Sequence, residues 1–460
     1  MSGADLEAGR AMHALIEELY PICRSITGDG VRQTLARLRQ EIPLEIHEVP
    51  SGTRVFDWTV PNEWNIRDAY IKDEHGNRVV DFRRCNLHVV SYSVPVRARL
   101  TLEELRPRLH SLPDRPDWIP YRTTYYKEDW GFCLSHRQLE ALEDGEYEVC
   151  IDSTLAPGSL TYGEYIIRGR TDGEVLISCH CCHPSLANDN LSGIAVAVAL
   201  ARSLTGRSLR YTYRFLFIPG TIGSITWLAL NEPVTARIQH GLVLTCVGDR
   251  GHPTYKRSRR GNALIDRAVE HVLRHSGGDY AIQDFVPYGY DERQYCSPGF
   301  DLPVGCLMRT PNGRFPEYHT SADNLEFVDP SALADTLQKC QAVVEVLEHD
   351  AVYENLNPKC EPQLGRRGLY SGVTGRTELP GYELALLWVL NFSDGHHSLL
   401  DIAERADIPF ATVRRAAEDL VRVGLLRPAA AAPPGADRGA NRDASARQST
   451  ASEDPVLVEE

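Results

Sequence analysis

No apolar run in this 460-residue chain approaches the roughly 20 residues that a membrane-spanning helix needs. The start, "MSGADLEAGRAMHALIEELY", lacks the basic beginning and apolar core of a signal peptide, so a cytoplasmic location is expected. Positive charge is scarce. Lys and Arg number 49 against 63 Asp and Glu, and the formal net charge of −14 disfavours non-specific nucleic-acid binding. The 12 cysteines are scattered with no small-domain disulfide framework, which suits reduced thiols. Acids are also missing from one particular place: none occurs between Asp189 and Glu232.

What is present implies two or three domains. Residues 7–40 have helical periodicity broken by "SITGDG", which predicts two helices, and a strand follows near "LEIHEVP". From Trp58 to about Tyr165 short β-type runs alternate with Pro and Gly, the pattern of a small, mostly β insertion, assigned to residues 56–159. Residues 1–55 and 160–350 then form one α/β domain. Its strands "GEVLIS", "YTYRFLFI" and "HGLVLTCVG" alternate with helices such as "GIAVAVALARSL", predicting a mixed, mainly parallel sheet flanked by helices. Three C-terminal helices with helix-turn-helix spacing predict a winged helix over 365–428, and 429–460 reads as a disordered tail.

The chemistry concentrates in "LISCHCCHPSLANDNLSG" (176–193). A hydrolytic zinc needs about three protein ligands and an open position. His180 ends a strand and Asp189 precedes a helix, and ligands gather at the carboxyl ends of strands in open α/β sheets. A third ligand must come from a distant loop, and "PEYHTSADN" (316–324) supplies His319. The alternative is that His180 and His183 only satisfy backbone groups in a turn. Cys179, Cys181 and Cys182 are read as bystanders, because mixed thiolate ligation more often makes a closed structural site.

With "SCH", "NDNLSG" and "YHTSAD" in view, the chain resembles the zinc aminopeptidase and glutaminyl cyclase fold. More closely it resembles bacterial aminopeptidase-like proteins with an inserted domain ("DWTVPNEWNIRDAYI", "IPYRTTYY", "WGFCLS") and a C-terminal winged helix. "YDERQYCSPGFDLPVG" belongs to the same resemblance. It implies zinc held by His180, Asp189 and His319, with Asp189 at the position that bridges two zincs in the classical enzymes. It also implies that Tyr318 stabilises a tetrahedral oxyanion and that Asp291 lies near the site.

The sequence departs from the classical pattern where two adjacent glutamates, a general base and a zinc ligand, should follow "YTYRFLFI". It reads "PGTIGSITWL" instead, and Thr245 or Cys246 replaces a further aspartate ligand. A single zinc is therefore expected. Glu292 is the first candidate for a surrogate base and Glu317 the second. Asp249, Asp291 and Arg293 are candidates for substrate contact, and "YKRSRRG" (255–261) could bind an anion. The expected substrate is a small peptide or aminoacyl amide. Acyl or aminoacyl transfer on the same scaffold, or a binding protein that has lost its base, remain open alternatives. Residues 381–428 carry five Arg, no Lys and seven acids, so the winged helix suits packing or homo-oligomer formation better than DNA contact.

Overall fold

The computed structural model describes residues 3–369 and 381–429. The expected tail therefore lies outside the described residues from 430 onward. Eight strands form the main sheet, in the spatial order 45–50, 159–167, 212–218, 174–180, 238–244, 304–308, 254–256, 281–283. The inner four pair in parallel, whereas the two strands at the 45–50 edge join antiparallel. Glu174–His180 and Thr212–Ile218 are buried at every position, as a sheet covered on both faces requires.

Helices Gly193–Leu204, Pro330–His349 and Gly3–Leu19 pack together beside this sheet. Their apolar residues, such as Ile16, Ile194, Leu200, Leu333 and Val344, share one core with Phe215 and Leu242 of the strands. Between strands 45–50 and 159–167 the chain leaves to build the insertion. Its four-stranded antiparallel sheet runs in the order 78–81, 63–72, 146–156, 96–101.

The C-terminal module has helices Gly381–Phe392, Leu399–Ala406 and Phe410–Arg422 with a three-stranded sheet. It begins earlier than the sequence reading placed it: Val352–Asn355 is the central strand, paired on both sides. That strand is short and half-buried throughout, so neither alternation nor an apolar run marks it. The last helix lies against the body, where Arg414 pairs with Glu345 and the Phe410 N–H donates to His271 Nε2. Arg267 also pairs with Asp401 and Glu404. Among the described residues no helix is long and apolar enough to cross a membrane.

One buried histidine makes stability depend on pH. His240 lies in strand Ile238–Leu244, edge-on to Tyr211, and neither ring nitrogen has a hydrogen-bond partner. Burial, reinforced by the charge of Arg210, lowers its pKa to about 4. Because the folded pKa is depressed, the unfolded chain binds more protons, and stability present above pH ~6.5 is lost as pH falls toward 4. Between pH 7 and pH 5 this residue should remove about 2 kcal/mol, and His240→Gln should flatten that part of the urea-denaturation profile.

Candidate functional site

The strand Glu174–His180 ends with His180 fully buried, and the chain turns through Cys181–Pro184 before Asp189. Asp189 is also fully buried. Its Oδ1 lies 2.8 Å from His180 Nε2 and its Oδ2 lies 3.1 Å from His319 Nε2. Residues 130 positions apart in sequence thus meet on one carboxylate. Burial alone would raise the Asp189 pKa. The neighbouring imidazoles, His183 foremost, and the hydrogen bonds with His180 and His319 outweigh it and hold the carboxyl well below its usual range.

His183 enters the same cluster. Ligand atoms of His180, His183 and Asp189 lie within 4.8 Å of one another, and all three residues are buried. Burial drives the His183 pKa well below that of free imidazole, against the pull of Asp189. Its carbonyl accepts a 2.8 Å hydrogen bond from Arg24 Nε, which ties the turn to the end of the first helix, whose Leu19 carbonyl accepts from Arg24 Nη1. The H-x-x-H spacing of His180 and His183 is a sequence signal for this pairing, but in an irregular turn that spacing does not fix where the rings point.

Tyr290 covers His180, with ring centroids 3.7 Å apart, and its hydroxyl is 3.4 Å from His183 Nε2. Tyr121 of the insertion stands edge-on to both His183 and His319, at 5.2 Å from each. Backbone bonds fix it there: the Tyr121 N–H donates to the His319 carbonyl, and the Ser321 N–H donates to the Ile119 carbonyl. Behind Asp189, the carboxylate of Asp323 accepts from the backbone N–H groups of Asn188 and Asp189 at 2.6 and 3.0 Å. Burial pushes Asp323 up to about 8. Tyr121, Tyr290 and Asp323 escaped the sequence reading because each acts through packing or outer contacts, not through a recognisable spacing.

Several expected residues are engaged by other partners or buried away from solvent, although Asp291 lies near His180. Glu292 forms a buried ion pair with Lys256 and accepts from the Tyr290 N–H on both oxygens, so the carboxylate first chosen as base is already engaged. Gly289, at φ +132°, leaves the room this pair occupies: a Cβ there would stand 2.4 Å from Glu292 Oε1 and 2.5 Å from Lys256 Nζ. Asp249, chosen for substrate contact, is saturated by the Gly251 and Thr310 N–H groups, the Thr310 hydroxyl and the Asn188 side chain. Asp291, the second of that set, is wholly buried and offers a substrate no surface. It accepts from Ser224 Oγ at 2.8 Å, and burial raises its pKa to about 6. Arg293, the third, follows it in a half-buried position with its Nε buried and unpartnered.

The basic run is also accounted for internally. Arg257 pairs with Glu270 and Asp284, and Arg259 and Arg260 pair with Asp301. Glu317 and Tyr318 are half-buried on the His319 turn, where the Tyr318 ring stacks on His319 at 4.0 Å.

The site occupies the place of the missing glutamates differently. Gly220 in "PGTIG" packs against Tyr290, and a Cβ on Gly220 would stand 2.0 Å from Tyr290 Cε1. The ring that covers His180 uses the space a side chain at 220 would need.

A mixed sheet flanked by helices, a histidine–carboxylate cluster at the carboxyl ends of its parallel strands and a winged helix define an aminopeptidase-like protein. The zinc aminopeptidase BSAP of Bacillus subtilis shares the fold, with a TM-score of 0.55 at 12% identity over 74% of this chain and 95% of that one. The chain belongs to the family described as a domain of unknown function, DUF4910, whose profile matches residues 13–350, and a winged helix-turn-helix profile matches 351–428. A relative from Clostridium acetobutylicum is 54% identical over 92% of this chain and 97% of its own. It is described as "Putative polysaccharide biosynthesis protein with aminopeptidase-like domain". A crystal structure of a "putative peptidase" from that organism matches with a TM-score of 0.88 at 53% identity, over 92% of this chain and 97% of that one.

Proposed function

We propose that this chain is a zinc-dependent, aminopeptidase-like hydrolase acting on a small peptide or aminoacyl amide. The observation that carries the reading is the buried Asp189 carboxylate, which meets an imidazole Nε2 on each oxygen where the parallel strands end. Imidazole and carboxylate donors suit zinc. When bound, zinc supplies a Lewis acid for the scissile carbonyl and makes water acidic enough to attack at neutral pH. His180 and Asp189 would hold it, with His319 on the far oxygen.

The remaining work falls to the chain's own groups. Tyr318, on the His319 turn, is the donor to the oxyanion that forms as the carbonyl becomes tetrahedral. With Glu292 engaged by Lys256, the second candidate, Glu317, is proposed to carry a proton from water to the leaving amine. Tyr121 closes one side against solvent. The winged helix is read as a packing module, since its last helix is docked on the body and its charge repels phosphate.

Metal content and an aminoacyl-amide panel test the reading together. Zinc with turnover is expected, and Glu317→Gln should lower that turnover by about 10²-fold or more with zinc retained. Turnover only when an amine acceptor is added would mean transfer instead, and a protein without zinc or turnover would be a binding protein. The words "polysaccharide biosynthesis" in the description of the Clostridium relative motivate a narrower proposal, an amide carried on a sugar. The exposed aromatic pair Trp58 and Tyr126, with ring centroids 5.2 Å apart, offers flat faces that a sugar ring can stack on.

A further inference from the structure

We infer that His183 is the third protein ligand of the metal, alongside His180 and Asp189, an inference that rests on the zinc reading above. Three protein ligands and one open position define a catalytic zinc, and bonds of about 2.0–2.2 Å set the ligand atoms roughly 3.3–3.5 Å apart. The ligand atoms of His180, His183 and Asp189 already lie within 4.8 Å of one another, so a small inward movement closes the set. His319 does not join that trio and instead meets the opposite oxygen of Asp189.

The stretch where the classical glutamates would lie carries no acid. Residues 190–231 contain no Asp or Glu, and the volume beside Gly220 is filled by Tyr290. The imidazole is also fixed in orientation before any metal arrives. Arg24 holds its carbonyl, Tyr121 stands edge-on to one side, and the Tyr290 hydroxyl touches Nε2. A side chain restrained on so many sides loses little further freedom on binding, which is the preorganisation that a three-ligand site needs. His183 thus takes over the coordinating role for which the sequence provides no glutamate.

The test uses the full chain loaded with zinc or with cobalt(II). His183→Ala should weaken zinc binding by more than about 100-fold, beyond the 10–100-fold typical of an outer-shell partner, measured by competition with a chromophoric chelator. It should also change the visible spectrum of the cobalt(II) protein. Because an alanine variant could disturb the turn, His183→Cys provides a positive signal. A thiolate ligand at 183 adds a near-ultraviolet charge-transfer band to the cobalt(II) protein that the wild type lacks. Zinc affinity within 10-fold of wild type in His183→Ala, or no such band in metal-loaded His183→Cys, would overturn the assignment. A wild type that binds no zinc would instead bring down the zinc reading itself, and the two failures are separated by that one measurement.

Discussion

Asp189→Asn is expected to leave the purified protein without bound zinc and to lower amide turnover at pH 7 by about 10⁴-fold or more. The fully buried carboxylate presents one oxygen to His180, also buried, and the other to His319, which reaches solvent. An amide keeps the shape but offers one acceptor oxygen and an NH2 group, so one imidazole would face a donor where it now faces an anion. The negative charge that offsets a divalent cation also disappears. Since zinc lowers the pKa of water from 15.7 to about 7, its loss removes most of the nucleophile available at neutral pH. Elemental analysis and a progress curve on the best amide substrate check both parts. Full zinc occupancy in the variant would show that the metal is held elsewhere.

Equally large, but in stability, is the effect expected from Glu292→Gln. Glu292 and Lys256 are both buried and paired, and Lys256 also donates to the Tyr288 carbonyl at 2.7 Å. Removing one charge strands the other in a medium that solvates it poorly, a cost of about 3–5 kcal/mol. Lys256→Met should cost a similar amount. The double variant should recover at least about half of the summed loss, because no unpaired ion remains. Urea denaturation of the four proteins completes the cycle. If Glu292→Gln costs under about 1 kcal/mol yet lowers turnover by about 10²-fold with zinc retained, Glu292 is the base after all.

The parts of the site legible in the sequence were those tied to regular structure. His180 closes an apolar strand and Asp189 lies in a non-helical kink just before the helix Gly193–Leu204, and both positions follow from hydrophobic patterning. His319 came from a motif, and the structure brings it to the same carboxylate. Illegible were the partners selected by tertiary contact. Lys256 and Glu292 are 36 positions apart, on a short strand and a four-residue helix, and nothing local marks them as a pair. Likewise, the role of Tyr121 depends on how the insertion docks on residues 319–321, a contact made by backbone groups that any sequence possesses. The winged helix began early for a similar reason, since strand Val352–Asn355 is defined by its neighbours and not by its composition.

The contact between Gly220 and Tyr290 couples two positions that lie far apart in the sequence. An acidic side chain at 220 cannot be accommodated while the tyrosine ring lies 2.0 Å from where its Cβ would be. Removing the ring first would uncover His180 without supplying a carboxylate. A side chain at 220 and the Tyr290 ring therefore compete for one volume, so a change at either position has to be matched at the other if His180 is to stay covered.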